Sequence, residues 1–335
     1  MLQSSPSTAP APARRWQPGG SRNLVLARVG DKSLHATWLK PAHTARDWDL
    51  HLSYYGSRLG PVPRSGRGLS WSNDPERSKF YGISVALERA GIDLDAYDYI
   101  ALPDDDLVAT VADWNLGFQL MRKHDLGAAQ LSLNPFSFFG HLDTVHRPGL
   151  ELRYVSLIEL MAPIIRVDVF KRCLPYLRDH DNIWAMDHVL AAQLRDTPRA
   201  MAVLDAVSVL HTRSFWTGPL YAPIRAAGTD PHSVERRYLE AHGIERVERR
   251  TLGALTRGGR SVQAPWWDDI YLAGPRLWRK LRALRRVKSL ADSCGGRIFL
   301  RRQYPGTPAL ELDRRRQRGG PFGLQNLTRR ADDPR

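Results

Sequence analysis

Tyr97-Asp-Tyr-Ile-Ala-Leu-Pro-Asp-Asp-Asp-Leu107 decides how this chain is read. A short apolar run, Tyr97 to Leu102, ends in Asp104, Asp105 and Asp106, and hydrophobic sequence resumes at Leu107-Val108. Three adjacent carboxylates repel one another, and a divalent cation is the simplest group that would relieve them. Hard cations such as Mg²⁺ and Mn²⁺ prefer oxygen ligands. The stretch therefore reads as a buried strand with a metal site at its carboxyl end. The plain alternative is a solvated acidic turn.

Outward from this point, strand-like and helix-like patterns alternate. Arg22 to Val29 is a β-run ended by Gly30-Asp31, and Trp48 to Tyr55 is a second, stopped at Gly56. Lys79 to Ala90 has helical apolar spacing and ends at Gly91; Asp113 to His124 is a second helix. Ala128 to Leu133 and the strongly apolar Met201 to Leu210 are further strands, the latter running into His211-Thr212-Arg213. Ile183 to Leu194 has helical spacing. Such alternation predicts an α/β domain with a mixed, mainly parallel sheet flanked by helices. In these sheets ligands collect beyond the carboxyl ends of the strands. Gly30-Asp31, the acidic triplet and His211 are all expected there.

The 335 residues suffice for a large core. No run of about 18 apolar residues is present, so no spanning helix is expected. Cys173 and Cys294 lack metal-ligand spacing, which points to a reduced, cytoplasmic compartment. The net charge of +14 is uneven: residues 216–335 hold 25 Lys and Arg against 12 Asp and Glu, whereas residues 1–215 hold 24 against 23. The expected organisation is a disordered leader over 1–20, the α/β domain over 21–215, a basic, mostly helical extension over 216–310, and a disordered tail over 311–335. Within the extension, residues 276–290 form a basic amphipathic pattern. It suits either an anionic inner-membrane surface or packing of its apolar stripe on the domain.

No G-x-x-x-x-G-K-[ST] and no G-x-G-x-x-G occurs, so neither a P-loop nor a dinucleotide fingerprint is supported. Five segments in order, Arg22 to His35, Asp49 to Gly56, Tyr97 to Leu107, Glu159 to Pro163 and Asp205 to Arg213, resemble the domain-of-unknown-function 707 family of plant and bacterial proteins. That family is in turn similar to GT-A glycosyltransferases, which carry a strand-end D-x-D metal motif. The resemblance implies a GT-A-like, Rossmann-like fold and a metal-dependent glycosyltransferase with a nucleotide-sugar donor. It supplies neither the sugar nor the hydroxyl acceptor, and leaves inversion or retention open; UDP is the nucleotide expected.

By that resemblance, Asp104 and Asp106 are the ends of the D-x-D pattern. Asp106 would be the direct ligand of Mn²⁺ or Mg²⁺, with Asp104 and Asp105 reaching it through water or touching the ribose. His211 would complete the metal shell, or else serve as a local hydrogen-bonding residue. Asp31 would meet base or ribose, and Arg28 or Lys32 the diphosphate; a polar loop is the alternative. Asp187 matches the acid near a helix start that serves as general base. Its preceding residues Ala185-Met186 depart from the family's Gly-Leu, and an acid in a first turn is favoured by the helix dipole in any case. Glu159 is the competing base, in an apolar segment where burial would raise its pKa, or a buried structural acid paired with an arginine. Lys79 reads as a solvent-facing helix residue rather than a phosphate ligand. Trp184 and Trp216 could stack on a sugar, with core packing the safer expectation.

Two rival functions stand beside the transferase. A metal-dependent phosphohydrolase would use the same carboxylates on nucleotides. A non-enzymatic anion- or nucleic-acid-binding protein would use the basic C-terminal third; without the interleaved aromatics of a known binding motif, nucleic acid is not the expected partner.

Overall fold

Asn-Leu-Val-Leu-Ala-Arg-Val forms strand β1 (Asn23–Val29), buried at every position. A strand covered on both faces needs such a continuous run, and its alternate residues feed two separate cores. Leu24 and Leu26 face one cluster, while Val25, Ala27 and Val29 face the other. The computed structural model describes residues 18–57, 67–76, 78–178, 184–214, 226, 228 and 230–263.

The other strands are β2 (Asp49–Tyr54), β3 (Leu69–Asn73), β4 (Tyr99–Ala101), β5 (Leu107–Val108), β6 (Ala128–Leu133), β7 (Leu150–Val155), β8 (Pro163–Arg166), β9 (Met201–His211), β10 (Thr251–Thr256) and β11 (Ser261–Val262). The sheet runs β11-β10-β7-β9-β6-β8-β4-β1-β2-β3, with β5 paired to β9 off this path. Parallel pairing joins β3 to β2, β2 to β1, β1 to β4, and β6 to β9; β8, β7 and β11 run against the rest. The result is the expected largely parallel central sheet flanked by helices.

Helix α1 (Lys79–Ala90) stops at Gly91, whose φ of 63° supplies the left-handed cap. Helix α2 (Val111–Lys123) begins with a capping box between Thr110 and Asp113. It packs Trp114 and Phe118 on the face that receives Val25 and Ala27. Helices α1, α3 (Val167–Leu177) and α4 (Met186–Ala192) cover the opposite face, and α5 (Pro231–Ala241) adds Tyr238 and Leu239 to the same core. Residues beyond 215, in the stretch expected as a basic extension, thus join the sheet through β10, paired antiparallel with β7.

The apolar segment 158–170 carries both β8 and the first turn of α3. The short β3, half-buried along most of its length, lacks a strong alternation and was not anticipated from sequence. Among the described residues no helix is long and apolar enough to cross a membrane. Residues 1–17 of the leader, Trp216, the 276–290 segment and the 311–335 tail lie outside the described residues.

Candidate functional site

The carboxyl ends of β1, β2 and β4 and the end of β9 share one edge of the sheet, and the acidic triplet sits in the β4–β5 connection. Strand β5 places it: Leu107 pairs with His211 and Val108 with Leu210. This two-residue ladder carries Asp106 against the end of β9. His211 Nε2 stands 3.2 Å from Asp106 Oδ2. Its other ring nitrogen, Nδ1, donates to the Phe138 carbonyl at 2.8 Å, which orients the imidazole with Nε2 toward the carboxylate, the arrangement metal-binding histidines use.

Asp104, Asp106 and His211 each offer a ligand atom within 4.8 Å of the others. Two carboxylates and an imidazole suit Mn²⁺ or Mg²⁺, the nitrogen favouring the former. The sequence-predicted metal residues therefore come together.

Side-chain cations accompany all three carboxylates, so their mutual repulsion, expected from the sequence to call for a metal, is already relieved without one. Lys79 Nζ lies 2.6 Å from Asp104 Oδ1 and also donates to the Leu160 carbonyl at 2.5 Å. Only 12% exposed, it is not the solvent-facing residue expected. Arg213 Nη1 is 2.7 Å from Asp105 Oδ1, and its Nη2 reaches the Lys32 carbonyl at 2.8 Å. His211 is the cation of Asp106. The case for a metal consequently rests on convergence of ligand atoms, not on unrelieved repulsion.

Asp105 faces away from this convergence. Its Oδ2 accepts from the Gly30 N–H at 2.9 Å and the Tyr55 hydroxyl at 3.1 Å. Burial pushes its pKa up, against the pull of Arg213. A side chain at Gly30 would strike the Tyr55 ring, with Cζ at 2.8 Å, so this close approach requires glycine. For Asp106 burial again acts upward, but His211 and Arg213 outweigh it and the pKa is lowered. Burial by itself would lower the His211 pKa; the Asp106 carboxylate reverses this and lifts it to about 9.

Asp31 lies at the end of β1 as expected, its carboxylate tied to the Tyr54 hydroxyl and to Ser57. Lys32 is exposed beside it. Arg28 is elsewhere: only 3% exposed, it donates to Ser53 Oγ at 2.5 Å, to the Asp74 carbonyl at 3.0 Å and to the Glu76 carbonyl. It braces the ends of β2 and β3, and the cations at the acidic edge are Lys79 and Arg213 instead. Neither was legible as such, although Arg213 stands two residues beyond the predicted ligand His211.

Glu159 lies in the β7–β8 connection, which reaches the same edge because β8 runs antiparallel to β4. Its backbone N–H donates to Gln130 Oε1 at 2.8 Å, and its Oε1 is 3.9 Å from His141 Nε2. Burial pushes its pKa up to about 8; Arg249 and His211 act downward, Asp143 and Asp187 upward. Among the described residues no arginine forms an ion pair with Glu159, and its Oε2 is buried with no hydrogen-bond partner there. Asp187, in the first turn of α4, accepts from the His188 N–H at 3.0 Å, and burial raises its pKa. The two base candidates thus share one charge environment. Trp184 is half-buried ahead of α4.

No family model matches the chain, and no curated protein does. Solved structures of S. aureus TarS are similar in part. Residues 1–349 of TarS align at 10% identity and a TM-score of 0.42, over 56% of this chain and 59% of that one. The same region in complex with UDP gives 13% and 0.40, over 66% and 71%. In complex with UDP-GlcNAc it gives 13% and 0.41, over 68% of each. This chain therefore spans less than two thirds of the first of these.

Proposed function

We propose that this protein is a metal-dependent glycosyltransferase that moves a sugar from a nucleoside-diphosphate donor to an acceptor hydroxyl. The observation that carries this reading is the convergence of Asp104, Asp106 and His211 at the carboxyl edge of a largely parallel sheet. The motif resemblance to the domain-of-unknown-function 707 family, and through it to GT-A enzymes, supports the same reading, with UDP the first nucleotide to test.

Mn²⁺ or Mg²⁺ held by the three residues would neutralise the donor diphosphate and the charge it gains as the sugar departs. The chain's own groups do the rest. Lys79 and Arg213 flank the triplet and add positive charge at the same edge. Asp31, at the end of β1, is placed for the ribose or base. Glu159 takes the acceptor proton: its unpartnered Oε2 accepts, and its pKa of about 8 suits proton transfer near neutrality. Asp187, bonded back to its own helix start, helps to keep Glu159 basic by its charge.

Calorimetric titration of the full chain with UDP and UDP-sugars, with and without Mn²⁺, tests the reading. Binding that requires Mn²⁺ and disappears in Asp106→Ala is expected. A folded protein that binds no nucleoside diphosphate or nucleotide sugar would overturn it, and metal-dependent phosphate release without any acceptor would replace the transferase with a phosphohydrolase.

A further inference from the structure

Arg249 precedes β10 and is bound on one side only. Its Nε donates to Asp143, at 3.2 Å to Oδ2, while Nη1 and Nη2 are buried and have no hydrogen-bond partner among the described residues. A guanidinium left with two buried donors unmet is costly and uncommon in a folded protein. Arg249 is also held deliberately. Asp143 sits in the β6–β7 loop, whose backbone is gripped by Arg153 through the Asp143 carbonyl at 2.6 Å and the Val145 carbonyl at 2.9 Å. Arg153, wholly buried, is fixed in turn by Asp205 at 2.7 Å.

Through this loop Arg249 neighbours the proposed acceptor side: its partner Asp143 is two residues from His141, whose Nε2 stands 3.9 Å from Glu159 Oε1. Arg249 exerts the largest charge effect on Glu159, yet neither residue bonds the other. Behind Glu159, the wholly buried Gln130 bonds the Glu159 backbone through Oε1 and leaves its Nε2 without a partner. The unmet groups are therefore three N–H-bearing nitrogens and one carboxylate oxygen, Glu159 Oε2. Their complement is a molecule with an oxyanion for the nitrogens and a hydroxyl for the carboxylate. The outer edge of a guanidinium matches two oxygens of a carboxylate or phosphate at once.

We propose that Arg249, with Gln130, binds an oxyanion on the acceptor, so that the acceptor is an acidic or phosphorylated hydroxyl compound whose hydroxyl is presented to Glu159. This rests on the transferase reading for the word acceptor, but the oxyanion site itself can be tested without a donor.

The experiment is calorimetry of the full chain at low ionic strength with glucuronate, glucose 6-phosphate and glucose, and in parallel with UDP and Mn²⁺. The carboxylate or the phosphate sugar should bind at least about tenfold more tightly than glucose, a preference lost in Arg249→Gln and partly kept in Arg249→Lys. Which anion is preferred distinguishes the two chemistries. The proposal fails if wild-type protein binds neither anion better than glucose. It also fails if the preference survives in Arg249→Gln, which would place the anion on Lys79 or Arg213. Should Arg249→Gln not fold, the wild-type preference and its reduction in Arg249→Lys decide. UDP and Mn²⁺ binding in the same samples separates the readings: if it is present without the preference, only the oxyanion site falls, and the reverse result removes only the transferase.

Discussion

His211 Nε2 lies 3.2 Å from Asp106 Oδ2, and the contact is made by the antiparallel pairing of Leu107 with His211. Residues more than a hundred positions apart become neighbours because a two-residue strand follows the acidic triplet. In the absence of metal the pair is ionic, with His211 holding a proton to about pH 9.

Asp106→Asn should therefore lower the His211 pKa. Burial depresses it, and the Asp106 carboxylate is the chief group raising it. With that carboxylate neutralised, burial is opposed only by Asp104 and the Phe138 carbonyl, and the value is expected to fall clearly below about 9. An NMR titration of the His211 ring reads this directly; a value still near 9 would show that the pair is not the cause. The same variant should weaken Mn²⁺-dependent UDP binding by about 100-fold or more.

Glu159→Gln should stabilise the fold at neutral pH. Between the ordinary pKa of 4.5 and the folded value of about 8, the native state keeps a proton that the unfolded chain has released. Stability from this group is thus undiminished below about pH 4.5 and falls as pH rises toward 8. The Gln variant lacks that loss, so its melting temperature should exceed the wild type by about 3 °C at pH 8 and by little at pH 4.5. If Glu159 is the base, the variant's turnover should fall by about 100-fold or more, and the rise in rate up to pH 8 should vanish with it.

Arg213→Met should destabilise the protein by about 2 kcal/mol, because the buried Asp105 carboxylate loses its cation. Adding Asp105→Asn should recover much of this. Chemical denaturation of both single variants and the double variant checks the coupling. Costs that simply add would show that the 2.7 Å contact contributes nothing.

Gly82→Ala reverses the usual sign of a glycine-to-alanine change within a helix. Such a change ordinarily stabilises by roughly 0.5–1 kcal/mol. At Gly82 the new methyl would lie 2.4 Å from Arg28 Nε and 2.5 Å from its Cζ. Arg28 is buried and tied to Ser53, Asp74 and Glu76, so it has no free direction in which to yield. A loss of about 1–3 kcal/mol in denaturant unfolding is expected.

The sequence by itself determined the α/β layers and the strand-end positions of the acidic triplet and His211. β1 and β9 are long apolar runs, and α1 and α2 carry their periodicity in local sequence, with α1 stopped at Gly91. Asp104, Asp106 and His211 stood out as candidate ligands through the resemblance to D-x-D enzymes, and the structure brings their ligand atoms together. Tertiary structure alone decided which cations attend the triplet. Arg28 was expected at the diphosphate and Lys79 in solvent, but β1 directs Arg28 into the interior against Asp74, while the start of α1 brings Lys79 to Asp104. It alone also set Arg249 against Asp143, in the loop whose His141 stands 3.9 Å from Glu159. Charged side chains are abundant in this basic chain and carry no periodic signature. Which of them meet depends on the order of strands β7, β9 and β10 in the sheet, a long-range property that no local window of residues contains.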